Sequence, residues 1–286
     1  MADTLKLTDV TGHELELELP VRRVVSLVPS VTESIFGLGC EDVLAGRTRY
    51  CIAPDPDVRK IAKFGGTKDP DIPGIVTLKP DLVLANREEN RKVDIDALRD
   101  AGINVYVDEP TTVQEGLAMV ALLGRIFEQE DAANEIVAIG ARTLNEVAER
   151  LAERDAQNEI KLKRRKDPRP RVAAFIWHEP WMVAGGHTYI SDMIETLGGL
   201  NVFANSTLRY FALDPVDIAA KAPDILLFPD EPYSFTDKDI AFWRENFEGM
   251  PAVAENRLRK CSGQDLCWYG TRIPAALLRL QPALAW

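Results

Sequence analysis

The sequence predicts an α/β protein: two parallel-sheet α/β lobes joined by one long helix. Three observations carry this. Short continuous apolar runs alternate with amphipathic segments from residue 20 to about 125; strand signals then vanish to about residue 162; and the same alternation restarts at Arg171. Strand and helix in alternation build parallel sheets through right-handed crossovers. A chain of 286 residues has room for roughly two cores of about 150 residues each.

The elements follow in order. Leu5–Val10 and Glu14–Leu19 alternate apolar and polar residues around Thr11-Gly12-His13, the pattern of a β-hairpin, which Pro20 ends. Arg23–Val28 is an apolar run suited to a strand covered on both faces. Pro29-Ser30 turns the chain into a helix capped by Ser30 or Thr32 and stopped by Gly39. Strands are then expected at 42–46, 81–85 and 104–107, and helices at 72–78 and 94–101. Thr111 or Thr112 opens a helix ending near Phe127.

The segment from about Asp131 to Leu162 sets Ile136, Ile139, Leu144, Val147 and Leu151 among charges, a second and longer helix. About thirty helical residues would span about 45 Å, enough to bridge two lobes. Lys161–Arg171 holds seven basic residues and one acidic one, a solvated helix end and linker in which Pro168 and Pro170 break any binding helix. Strands at 171–176 and 224–228 and helices at 190–197, 216–220, 237–246 and 274–280 complete the second half. The domains are therefore an N-terminal lobe with its hairpin (1–125), a spanning helix and basic linker (126–168), and a C-terminal lobe (169–286).

Composition narrows the function. With 45 acidic against 34 basic residues the net charge is −11, unsuited to a phosphate backbone or an anionic membrane. No signal peptide and no span of about 18 apolar residues is read, so the expected location is cytoplasmic, or periplasmic if a leader has been removed. Cys40, Cys51, Cys261 and Cys267 lack C-x-x-C spacing and are read as reduced thiols.

Four kinds of chemistry compete. Phe64-Gly65-Gly66-Thr67-Lys68 lacks the spacing of a phosphate loop and is read as an exposed loop offering Thr67 and Lys68 to a ligand. Only His13, His178 and His187 could anchor a metal, in no ligating pair; a metal-ion receptor would depend on His178 or His187. A thiol-dependent enzyme would use Cys51 or Cys267, but sequence places no base beside either. The aromatic signal is stronger: all five tryptophans lie beyond residue 176. Trp177–Met182, Arg209–Phe211 and Cys267–Gly270 read as loops, and loop aromatics mark ligand surfaces. Trp181, Tyr210 and Trp268 are assigned to a site, while Trp177 and Trp243 serve equally well as core.

Arg23-Val24-Val25-Ser26-Leu27-Val28-Pro29-Ser30-Val31-Thr32-Glu33, Leu78–Ala85 and Leu197–Phe203 together resemble the helical-backbone (class III) substrate-binding proteins of ABC importers. The chain is most similar to their vitamin B12-binding branch, with siderophore and haem binders as relatives. The resemblance implies a non-enzymatic binding protein, expected as a monomer, holding a corrinoid, or else haem or a ferric chelate, in a cleft between the lobes, with no intrinsic cofactor. It places Tyr50, Trp181 and Tyr210 against the ligand, and Trp268 and Tyr269 on the last bordering loop. Thr67 and Asn86 stand where relatives have tryptophans, and Cys267 where they have an acid. Lys68, Asn86, Arg87 and Arg272 are expected to supply polar contacts at the rim. The carboxylates with which such proteins dock a permease fall at Pro73 and Val216, with Asp71 and Asp217 close by; a repurposed member that docks no permease is the alternative.

Overall fold

The computed structural model describes residues 3–157, 167 and 169–285. These form two compact units. The first takes the chain up to Pro110, Glu115–Ala138 and Tyr269–Arg272; the second takes Thr111–Gln114, Ile139–Trp268 and the residues from Ile273.

In the first unit, β1 (Asp3–Thr8) and β2 (Glu14–Leu19) form the expected antiparallel hairpin. Its turn is locked by Asp9. One carboxylate oxygen of Asp9 accepts from the Thr11 amide and hydroxyl and the His13 amide, and the other from Arg99 and the Val107 amide. Burial opposes the charge on Asp9, yet these donors prevail and hold its carboxyl below the usual range.

Strands β3 (Val24–Ser26), β4 (Leu44–Arg47), β5 (Leu82–Asn86) and β6 (Val105–Asp108) form a fully parallel sheet in the order β4-β3-β5-β6. Every residue of β3 and β5 is buried, as their unbroken apolar runs require. Helices α1 (Pro29–Gly37), α2 (Ile72–Leu78) and α3 (Lys92–Asp100) connect the strands. Val25, Val83 and Val107 pack with Ile75 of α2 and Leu98 of α3 in one apolar cluster.

The start of α1 differs from expectation. Val28 occupies the cap position without a side-chain bond, and Pro29 opens the first turn. Thr32 instead gives its hydroxyl to Ser26 and to the Val28 carbonyl.

Helix α4 (Val113–Ile126) is followed after a short turn by α5 (Glu130–Gln157), whose 28 residues correspond to about 42 Å. Ala133, Gly140, Thr143 and Val147 make its buried stripe. The expected end of this helix at Leu162, and the basic run apart from Asp167 and Arg169–Arg171, lie outside the described residues.

The second unit is built on β7 (Arg171–Trp177), β8 (Met182–Ala184), β9 (Leu200–Asn201), β10 (Tyr210–Ala212), β11 (Ile225–Pro229) and β12 (Leu258–Cys261). The order is β10-β8-β7-β11-β12, with β9 also on β7. β7, β9, β11 and β12 are parallel, whereas β8 and β10 are antiparallel additions. These two strands overlap the ends of Trp177–Met182 and Arg209–Phe211, segments read as loops; three residues are too few to show an alternating pattern. The helices are α6 (Tyr189–Thr196), α7 (Pro215–Ala220), α8 (Asp237–Asn246), α9 (Pro251–Ala254), α10 (Gly263–Cys267) and α11 (Ile273–Leu280). No described helix is long and apolar enough to cross a membrane.

Candidate functional site

Open α/β sheets bind ligands beyond the carboxyl ends of their strands, where neighbouring connections leave in opposite directions. In the first unit that point lies between β3 and β5, since the chain leaves β3 for β4 on one side and returns to β5 and β6 on the other. Asn90 closes it, its amide donating to the carbonyls of Leu27 (3.4 Å) and Thr67 (3.0 Å). Thr67, Lys68, Asn86 and Arg87 are brought together here, as Lys68 Nζ donates to the Glu88 carbonyl.

Asn86 is a correction. Its side-chain oxygen accepts from the amides of Glu88 (2.8 Å) and Glu89 (3.1 Å), and its amide donates to Asp108 (2.8 Å) and the Tyr269 hydroxyl (3.1 Å). All four of its bonding positions are thus consumed, so Asn86 shapes the turn after β5 rather than touching a ligand. Tyr269 is likewise internal, buried with its hydroxyl donating to both Asp108 oxygens at 2.8 and 2.9 Å. Arg272 leaves the rim as well, forking onto Glu33 in a largely buried pair. Thr67 is buried.

What remains exposed on this edge is Tyr50, Lys68 and Arg87. Tyr50, half exposed, carries the Arg49 guanidinium over its ring at 4.9 Å. Its loop is pinned from beneath by Arg47, which donates to the carbonyls of Val58, Thr48 and Cys51. Arg87 reaches Glu109 at 3.2 Å but stays largely solvated. The Gly65-Gly66 segment is a tight turn: Gly65 has φ +76° and a Cβ there would meet the Asp69 carbonyl at 2.3 Å.

In the second unit the corresponding point lies between β7 and β11. Here the assignment of Trp181 to the site is corrected, and Trp177, left open between core and site, lies at the surface. Trp181 is only 7% exposed, its ring 4.9 Å from Phe175 and 5.2 Å from Trp243 inside the apolar core. Trp177, at the end of β7, is 43% exposed and meets Tyr233 edge-on at 5.5 Å. A register shift between Phe175 and Trp177 in the pairing with β8 breaks the alternation that would send both rings to one face. Tyr233 lies in the loop after β11 and is a site candidate that sequence reasoning missed.

Between them His178 Nδ1 lies 2.6 Å from Asp239. Thr236 also bonds Asp239 through its amide and hydroxyl. Burial raises the Asp239 carboxyl, but the Thr236 and His178 donors outweigh it and the net displacement is downward.

Tyr210 is half-buried on β10 opposite Ala184. Trp268 is buried at the end of α10, and the Cys267 thiol donates to the Gly263 carbonyl at 2.7 Å. Burial pushes the Cys51 thiol up against the bonds from Thr32 and Thr48, and carries Cys261 up to about 12. Both are thereby held in the unreactive protonated form. Among the described residues no group of three or more His, Cys, Asp or Glu could hold a metal ion. Pro73 sits in the first turn of α2, whose cap Asp71 accepts from the Gly74 amide at 3.1 Å; Val216, in the first turn of α7, is 69% exposed.

The periplasmic binding protein family matches residues 24–264. The vitamin B12-binding protein of Yersinia pestis (strain Pestoides F) is 25% identical over 268 residues, 93% of this chain and 87% of the relative. The periplasmic vitamin B12 binding protein BtuF of Vibrio cholerae shares the fold with a TM-score of 0.78 at 20% identity, covering 93% of this chain and 97% of that one. The periplasmic heme-binding protein RhuT from Roseiflexus sp. RS-1 follows at 0.75 and 21% identity, covering 92% and 98%.

Proposed function

The chain belongs to the periplasmic binding protein family, and from that premise we propose that it binds a large, flat metal chelate, a corrinoid first, as cargo. The observation that carries this reading is the exposed Trp177, which meets the half-buried Tyr233 edge-on at the carboxyl edge of the second sheet. Large apolar faces with a polar tip favour a flat, amphipathic partner. In the second unit the half-buried Tyr210 is a further aromatic group of this reading; on the first unit Tyr50 is exposed, with Lys68 and Arg87 as exposed cations. The similarity to vitamin B12-binding proteins supports the corrinoid. The cations support a second reading, haem or a ferric siderophore, whose carboxylates or oxyanions they would meet.

Titration with cyanocobalamin, haemin and a ferric hydroxamate, followed by tryptophan fluorescence, tests this. At least one chelate is expected to quench and saturate. Trp177→Ala is expected to raise its Kd at least tenfold, about 1.4 kcal/mol, with the thermal midpoint within a few degrees of the parent. Absence of quenching by all three ends the reading.

Docking to a permease through carboxylates at positions 73 and 216 is not part of it. Asp71 is occupied in capping α2, and Val216 presents an apolar side chain. A pull-down in which Asp71→Ala or Asp217→Ala abolishes permease capture would reverse that view.

A further inference from the structure

We propose that Tyr269–Arg272 is a proton-controlled clasp on the first unit, which covers the Asp108 carboxyl while that group holds its proton and lets go when it ionises. This goes beyond the chelate reading and does not rest on it. The four residues form no helix or strand, and they pack with the first unit although their chain neighbours Trp268 and Ile273 belong to the second. Side chains hold them there. The Tyr269 hydroxyl donates to both oxygens of Asp108 (2.8 and 2.9 Å) at the end of β6, and accepts from the Asn86 amide (3.1 Å) at the end of β5. On α1, the Ser34 hydroxyl accepts from the Thr271 amide (3.2 Å) and Glu33 accepts from Arg272 (2.8 Å). Gly270, at φ +105°, comes so close to α1 that a Cβ would meet the Ser34 hydroxyl oxygen at 2.0 Å.

Asp108 makes the clasp sensitive to protons. It is buried, and its side-chain donors, Asn86 and Tyr269, are both neutral. Among the described residues no lysine, arginine or histidine forms an ion pair with it. The titratable groups that face it bring no positive charge. Glu89, in the turn after β5, is a second acid, raised by its own burial and lowered by Lys68. Tyr106 on β6 faces both Asp108 and Asp9 and is pushed up to about 12 by burial and these carboxyls. Lys68 and Arg87, the cations of this edge, reach the Glu88 carbonyl and Glu109 instead. An ionised carboxyl in such a place gives up hydration without gaining a counter-ion. Asn86 is fixed in the sheet, whereas Tyr269 lies in an irregular segment and can leave without breaking a strand ladder. Its departure admits water to Asp108 and returns the carboxyl toward its ordinary range. Covered, Asp108 titrates near 7; uncovered, near 3.8. Opening therefore releases a proton between these values, becomes easier as pH rises from about 4 to about 7, and levels off above. It also takes one tie from Asn86, whose side-chain oxygen shapes the turn that carries Arg87.

Hydrogen–deuterium exchange of the full chain, read by mass spectrometry and corrected for the intrinsic pH dependence of amide exchange, tests this in wild type, Asp108→Asn and Tyr269→Phe. In wild type, the protection of peptides spanning 269–272 is expected to fall about fiftyfold from pH 5 to pH 7, the change that one carboxyl moving between about 7 and 3.8 supplies. Peptides over β5 should remain better protected than the clasp at pH 7, the mark of a local opening. Asp108→Asn, which cannot ionise, should hold the clasp's protection within about threefold over the same range. Tyr269→Phe keeps the ring and loses the hydroxyl, and should cost the clasp about fivefold or more in protection at pH 5, the worth of a typical hydrogen bond. Circular dichroism checks that each variant is folded, and Tyr269→Phe decides alone should Asp108→Asn unfold. Protection over 269–272 that does not change with pH in wild type, or that falls equally in Asp108→Asn, overturns the proposal. So does unchanged protection at pH 5 in Tyr269→Phe, and so does a fall shared in step by the clasp and β5, which is global unfolding.

Discussion

Trp243→Ala is expected to destabilise the second unit by about 3–5 kcal/mol, the range for removing a large aromatic from a packed core. Trp243 is fully buried. Its ring lies 5.2 Å from Phe175, 5.2 Å from Trp181, 5.8 Å from Phe242 and 4.9 Å from Phe247. Four aromatic neighbours from β7, α8 and the flanking turns cannot all collapse into the space it would leave. Trp243→Phe should cost less than about 2 kcal/mol. It keeps most of the ring and removes an indole N–H that has no hydrogen-bond partner, and such an orphan donor itself costs about 1–3 kcal/mol. Urea unfolding followed by circular dichroism measures both, and a loss under about 1 kcal/mol for alanine would show that the cluster does not depend on this ring.

The second large effect is on pH dependence. Burial pushes the Asp108 carboxyl up to about 7; Asn86 and Tyr269 pull it down and Glu89 pushes it further up. The unfolded carboxyl titrates near its ordinary value of 3.8. Between these values the folded protein keeps a proton that the unfolded chain has released. The stability from this group is therefore complete below about pH 4 and is lost as pH rises through 7. From pH 5 to pH 8 the loss is about 3 kcal/mol. Asp108→Asn keeps an oxygen for Asn86 and Tyr269 and removes the titration, so its stability should exceed that of wild type at pH 8 by more than at pH 5. Asp9 and Asp239 shift in the opposite direction and are common to both proteins, so the variant-minus-parent difference isolates Asp108. Parallel curves for the two proteins would show that Asp108 is ionised in the fold throughout.

Much of the architecture is legible in local sequence. Glu14–Leu19, Ile72–Leu78 and Asp237–Asn246 are found where the sequence pattern puts them. Periodicity and capping are properties of neighbours within a few residues, so they survive in one dimension. β8 and β10 escaped because three-residue antiparallel strands take their identity from the strand they pair with, β7 for β8 and β8 for β10, rather than from their own pattern.

The site was less legible. Asn86, Arg87, Thr67 and Lys68 do gather at one sheet edge, but that Asn86 is consumed by Asp108 and Tyr269 depends on partners 22 and 183 positions away. Trp177 and Trp181 stand in one six-residue segment, yet Trp177 is exposed at the end of β7 while Trp181 packs on Phe175 and Trp243, residues 6 and 62 positions away.

By itself, then, the sequence determined the α/β class, the hairpin, the order of most strands and helices, and a resemblance that names the family. Tertiary structure alone decided which aromatics remain available and which polar groups are already satisfied. Secondary structure is a sum over local residues, whereas burial and hydrogen-bond saturation are sums over everything the fold brings near, and only the folded chain contains that sum.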